Sequence, residues 1–129
     1  MTRKYDDGFV ILMNDDLKPI YNEGYWTLYY KDRYDKLENI CQKILTKKIV
    51  QKCGYLHKTQ QKDTPQILRF YLNGKDVIQQ RKLLSYLIQR QLIKKIRDKR
   101  YPNMVFKFKD SENAEFLSNW VNLTTGSWE

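Results

Sequence analysis

The sequence predicts a single α+β domain, and three observations carry that reading. Short runs rich in aromatic and β-branched residues alternate with two stretches whose apolar residues recur at helical spacing. Hydrophobic residues make up 41% and aromatics 14% of the 129 residues, enough for a core despite a mean hydropathy of -0.76. Only five glycines and three prolines interrupt the chain, so nothing divides 1–129 into units. Residues 1–8 read as a loose mixed-charge arm and 122–129 as a tail.

The clearest element pair lies in the middle. Gln66 to Leu72 follows Pro65 and has strand composition. Asn73-Gly74 then breaks it. Asn-Gly is also a strong hairpin turn, but Val77, Leu84 and Ile88, flanked by Leu83 and Leu87, recur at helical spacing, and the intervening Gln79 to Lys82 are good helix formers. Asn73 reads as the N-cap and Asp76 as a first-turn acid that suits the helix dipole. Arg81 falls at the edge of the apolar stripe. There it can lay its stem on the core and its head in water, or aim a forked cation at a carboxylate or phosphate.

The remaining elements follow in order. Phe9 to Met13 reads as a buried strand, and Asn14 to Pro19 as a turn whose Asp15 and Asp16 lack the further acids of a metal site. Gly24 to Tyr30 is a strand with Tyr25, Thr27 and Tyr29 on one face and Trp26, Leu28 and Tyr30 on the other. Asp32 caps a helix of about 33–47, with Leu37, Ile40, Cys41, Ile44 and Leu45 in one stripe. A strand is expected within Gly54 to Thr59. Met104 to Lys109 alternates strictly, which sends Lys107 and Lys109 to one face. Ser111 is placed to cap a last short helix, from Glu112 to about Val121. The total is about five strands, two main helices and a short C-terminal one.

Charge narrows the function classes. The net charge is +9 and is segregated: Lys43 to Lys109 holds eighteen Lys/Arg against Asp63, Asp76 and Asp98, while residues 1–42 hold six against eight acids. Such a field favours polyanions. Cys41 and Cys53 form no CxxC pair, and His57 is the sole histidine, so the usual zinc ligands are not assembled. His57 has no Ser, Cys or Asp at a triad spacing. Walker and dinucleotide glycine motifs are also missing, and no cofactor is expected. No apolar run approaches the roughly 20 residues of a membrane span, and MTRKYDDGF lacks a signal-peptide core. The expected location is the cytoplasm, or a host cytosol for an exported effector.

The landmarks also resemble a family. Gly24-Tyr25-Trp26 entering a strand looks like the opening of the Bles-like family, whose members carry a provisional phosphothreonine-lyase label. The helix at Asp32–Lys47 fits. Lys58-Thr59 looks like that family's Lys-Val-Ser strand. Tyr71 followed by Lys75-Asp76-Val77 and Arg81 looks like its tyrosine strand and Arg-bearing helix, and Phe106-Lys107 or Phe108-Lys109-Asp110 like its Tyr-Lys-Pro-Asp segment. The resemblance covers about residues 20–110. The chain departs from it in having no proline after either lysine and no Leu-Gly after the central helix. The resemblance implies a curved, mostly antiparallel sheet similar to that of the messenger-RNA cap-binding initiation factor. It also implies a basic concave site where Lys58, Arg81 and a last-strand lysine meet beside Trp26.

Together these readings anticipate a module that binds a phosphorylated ligand: nucleotide, RNA or phosphoprotein. Lys58, Arg69, Arg81, Lys107 and Lys109 would meet phosphate, Tyr25, Trp26 and Tyr71 would stack, and His57 and Asp110 are accessory candidates. A small effector that binds a protein partner, and a phosphate-ester lyase or transferase with a lysine base, are the alternatives.

Overall fold

The computed structural model describes residues 1–30, 34–56, 66–90, 92, 104–108 and 114–116. Among them seven strands form one open, curved antiparallel sheet, with two helices. The strands are β1 (Thr2–Asp6), β2 (Phe9–Met13), β3 (Glu23–Tyr30), β4 (Lys52–Leu56), β5 (Gln66–Asn73), β6 (Met104–Phe108) and β7 (Ala114–Phe116). Helix α1 (Tyr34–Thr46) joins β3 towards β4, and α2 (Val77–Gln89) follows β5. The spatial order is β1-β2-β4-β5-β3-β6-β7.

The α+β class and the antiparallel sheet are as expected, and four local expectations are corrected. Residues 2–6 are not a loose arm but the edge strand β1. Asp7 and Gly8, both at positive φ (48° and 81°), make the two-residue turn of a hairpin that pairs Asp6 with Phe9. Residues 114–116 are the strand β7, paired with β6, and not part of a helix. Strand β4 starts at Lys52, two residues before the expected start. The N-cap of α2 is Asp76, whose carboxylate accepts from the Gln79 backbone N–H at 3.0 Å; Asn73 instead accepts from the Lys75 N–H at 2.8 Å within the turn. Asp32, residues 93–100 and Ser111, the expected caps among them, lie outside the described residues.

Period-two alternation sorts the sheet into two faces. One carries Val10 and Leu12 from β2, Cys53 and Tyr55 from β4, Leu68, Phe70 and Leu72 from β5, Trp26 and Leu28 from β3 and Phe106 from β6. Both helices cover it, with Leu37, Cys41, Ile44 and Leu45 from α1 and Leu83, Leu84 and Leu87 from α2 in the same core. Each such leucine contributes about 1.5–3 kcal/mol by leaving water. Gly24 belongs to this layer because a Cβ there would lie 2.4 Å from the Phe106 ring. One polar side chain is sealed inside it. Gln80 is fully buried, accepts from the Trp26 indole N–H at 3.1 Å and donates to the Gly74 carbonyl at 2.8 Å. It thereby ties β3, the β5–α2 turn and α2 together.

Candidate functional site

The other face of the sheet carries a row of basic and aromatic side chains. Register alone lines up Lys52 on β4, Tyr71 on β5, Tyr25 on β3 and Lys107 on β6 as one row across four strands. The next row places Arg69 between Gly54 of β4 and Thr27 of β3. Gly54 is closely packed: a Cβ there would sit 3.2 Å from the Val10 carbonyl, 3.3 Å from Ile11 and 3.7 Å from the Tyr71 ring.

Arg69 is the centre of this face. Its guanidinium carbon lies 4.1 Å from the Phe9 ring centroid and 4.7 Å from that of Tyr25, so two aromatic faces hold it. It also hydrogen-bonds the Tyr71 phenol. Its Nε–H is buried and has no partner, and among the described residues no carboxylate forms an ion pair with it. Burial pushes the Tyr71 phenol above the ordinary tyrosine value, and Arg69 pulls the other way. Tyr71 and Tyr25 meet at 5.6 Å in a tilted pair.

Lys52 is differently placed. Its ammonium sits 4.6 Å above the Tyr71 ring and 3.2 Å from the Glu23 carboxylate, with both side chains about 15% exposed (15% and 14%). Its charge is therefore already met, and the pair bridges over Tyr71 from β4 to β3. Lys107, half-buried, has no ion-pair partner among the described residues.

The anticipated residues thus separate into three groups. Arg69, Tyr25, Tyr71 and Lys107 share the face opposite the helices. Trp26 does not: it is fully buried on the helix side, stacks at a tilt on Phe106 at 5.3 Å and spends its N–H on Gln80, so it is corrected from a stacking residue to a core residue. Arg81 is also corrected as a member of this cluster. It stands on α2, which covers the helix side, so Arg81 and Lys107 lie on opposite sides of the sheet rather than in one hollow beside Trp26. Lys58, Lys109, His57 and Asp110 lie outside the described residues. The structure adds Phe9, Lys52 and Glu23. Lys52 had a readable signal, since Lys52, Gly54 and Leu56 alternate with Cys53 and Tyr55. Phe9 had none beyond strand composition, because its pairing with Arg69 crosses sixty residues of chain.

Cys41 and Cys53 are reduced and buried; the Cys53 thiol faces the Cys41 carbonyl at 3.6 Å, and burial pushes it well above the ordinary thiol range. No cluster of three His, Cys, Asp or Glu stands ready for a metal among the described residues, and no described helix is long and apolar enough to cross a membrane. No protein-family model, no curated protein and no solved structure matches the chain.

Proposed function

We propose that the helix-free face binds a phosphorylated ligand, with Arg69 as the anchoring cation and Lys107 beside it across Tyr25. One observation carries this reading: a guanidinium clamped between Phe9 and Tyr25 whose buried Nε–H has no acceptor. A buried donor left unmatched costs about 1–3 kcal/mol. A phosphate oxygen is the acceptor that would match both its charge and its forked geometry. The Tyr25–Tyr71 pair supplies an aromatic surface next to that anchor, which suits a nucleotide or the bases of a short RNA; a phosphorylated protein segment is the other member of the class.

The test is titration of a nucleotide, a single-stranded RNA and a phosphopeptide against the wild type and Arg69→Met, at low and at raised salt. Methionine keeps bulk between the two rings but removes the charge and the orphaned donor. The reading expects affinity that falls with salt and drops about tenfold or more in the variant. Absence of binding to all three at low salt would end it, as would equal affinity of the two proteins.

A further inference from the structure

A second site lies at the end of the sheet and shares Tyr71 with the Arg69 cluster. The loop 14–22 leaves β2, crosses the ends of β4 and β5, and enters β3; beneath it is a cavity of about 360 Å³, within the range of small-molecule pockets. Leu17, Pro19 and Leu72 give it apolar walls. The Lys52–Glu23 bridge over Tyr71 stands between it and the Arg69 cluster.

The polar lining is oriented by bonds to the backbone. The Asn14 side-chain N–H₂ donates to the Leu45 carbonyl at 3.2 Å, which fixes that nitrogen; the same nitrogen donates to Gln51 Oε1 at 2.8 Å. Gln51 therefore keeps its N–H₂ for the pocket. Asn73 accepts a backbone N–H with Oδ1, so its N–H₂ is likewise left over. Gln79 is turned the other way: its N–H₂ donates to the Ile49 carbonyl at 3.4 Å, leaving Oε1. Lys18 and Lys48 add two cations that have no ion-pair partner among the described residues, and Asp16 adds one carboxylate. Besides the tyrosines Tyr21 and Tyr71, the lining thus offers two lysines and two amide donors against one amide oxygen and one acid.

Lys48 is informative in a second way. The bonds from Lys48 N–H to the Leu45 carbonyl and from Ile49 N–H to the Ile44 carbonyl close α1 in a Schellman motif, and Lys48 takes the left-handed position at φ 56°. The backbone alone favours glycine there. A lysine at that position puts a cation at the rim against local backbone preference.

We infer that this pocket binds a small hydroxylated organic oxyanion, a sugar phosphate or a hydroxy acid: Lys18, Lys48, Gln51 and Asn73 hold the oxyanion, and Asp16 and Gln79 Oε1 accept from its hydroxyls. The assignment does not depend on the Arg69 reading.

The test follows backbone amide resonances of the full chain by NMR while ribose 5-phosphate, glycerate or ribose is added to millimolar concentration. The expected result is perturbation at residues 16–18, 20, 21, 48, 51 and 73 by ribose 5-phosphate, glycerate or both, with neutral ribose at least about tenfold weaker. The responding oxyanion tells phosphate from carboxylate. Lys48→Gly is expected to raise the melting temperature, because it relieves the left-handed position, while weakening binding about tenfold; Lys18→Gln is expected to weaken it similarly. No perturbation by either oxyanion overturns the proposal. So does ribose binding as well as its phosphate, perturbation confined to the surroundings of Arg69, or full affinity in both lysine variants.

Discussion

The two faces of strands β3 and β5 carry equally unusual buried polar groups, and they treat them in opposite ways. On the helix side Gln80 is sealed from water and uses both ends of its amide, on the Trp26 N–H and the Gly74 carbonyl. On the other side Arg69 is clamped by two rings, yet its Nε–H is left without an acceptor. Satisfied polarity of the first kind specifies a fold, because it is made only when β3, the turn and α2 come together. Unsatisfied polarity of the second kind lowers stability in the free protein and is relieved only by something added. The difference sorts residues more sharply than residue type does: Trp26 suits a core by strand alternation and a stacking role by type, and its bond to Gln80 makes it part of the core.

The helix side should therefore break by loss of stability. Gly24→Ala is the most disruptive single change, since its Cβ would meet the Phe106 ring at 2.4 Å and the Lys107 carbonyl at 2.8 Å, one of which is backbone and cannot swing away. An overpacking cost of about 3 kcal/mol is expected in urea unfolding. Gln80→Leu fills the space but orphans the indole N–H and the Gly74 carbonyl, for an expected loss of about 2 kcal/mol. If Gln80→Leu unfolds at the wild-type midpoint, the amide is not the clamp described.

The opposite face should break by loss of binding with stability largely kept. Arg69→Met removes an unpaired buried donor but also two cation–π contacts and the bond to the Tyr71 phenol, so its unfolding midpoint is expected to fall only slightly while affinity for the phosphorylated ligand falls about tenfold. Lys107→Gln is expected to cost less affinity, about threefold to tenfold, because an exposed or half-exposed cation contributes less than a clamped one. Arg81→Gln, on the far side of the sheet, is expected to leave affinity unchanged. Equal losses from Arg81 and Lys107 would mean that the two faces are not functionally distinct.

How much of this was readable depends on the range of the interactions involved. The α1 stripe, the β5–α2 unit and the alternation within β3 and within β6 follow from local periodicity, whereas the shared face of Tyr25 and Lys107 needed the register of β3 with β6. The hairpin turn Asp7-Gly8 was also local, but the charged composition of Thr2 to Asp6 masked an edge strand, which tolerates such residues because one of its sides is unpaired. Face-to-face sorting of Trp26 against Arg69 needed the register of β3 with β5, and the sheltering of Arg69 needed Phe9 from a strand two places away. The Lys52–Glu23 pair lay in a stretch whose period was ambiguous until β4 was seen to start at Lys52. The family resemblance put Arg81 and a last-strand lysine together; for Lys107 the sheet, passing between them, puts them apart.

The smallest expected effect lies in the pH dependence of stability, and it sharpens the same contrast. Burial raises the Tyr71 pKa in the folded protein above its unfolded value of 10.0. The unfolded chain therefore gives up this proton first as pH rises. Stability from the neutral phenol is complete below the unfolded value and is lost as pH climbs through it towards the higher folded value. Tyr71→Phe should flatten that part of the alkaline limb and leave the profile near neutrality unaltered. Arg69→Met should steepen it, because the guanidinium that hydrogen-bonds the phenolate and opposes the shift is gone, so the folded pKa moves further up. A steeper limb in Arg69→Met and a flatter one in Tyr71→Phe, read from urea midpoints between neutral and strongly alkaline pH, would place the two side chains in contact in solution. Identical limbs in both variants would mean that the phenol and the guanidinium do not share one environment, and the anchoring role given to Arg69 would lose its nearest support.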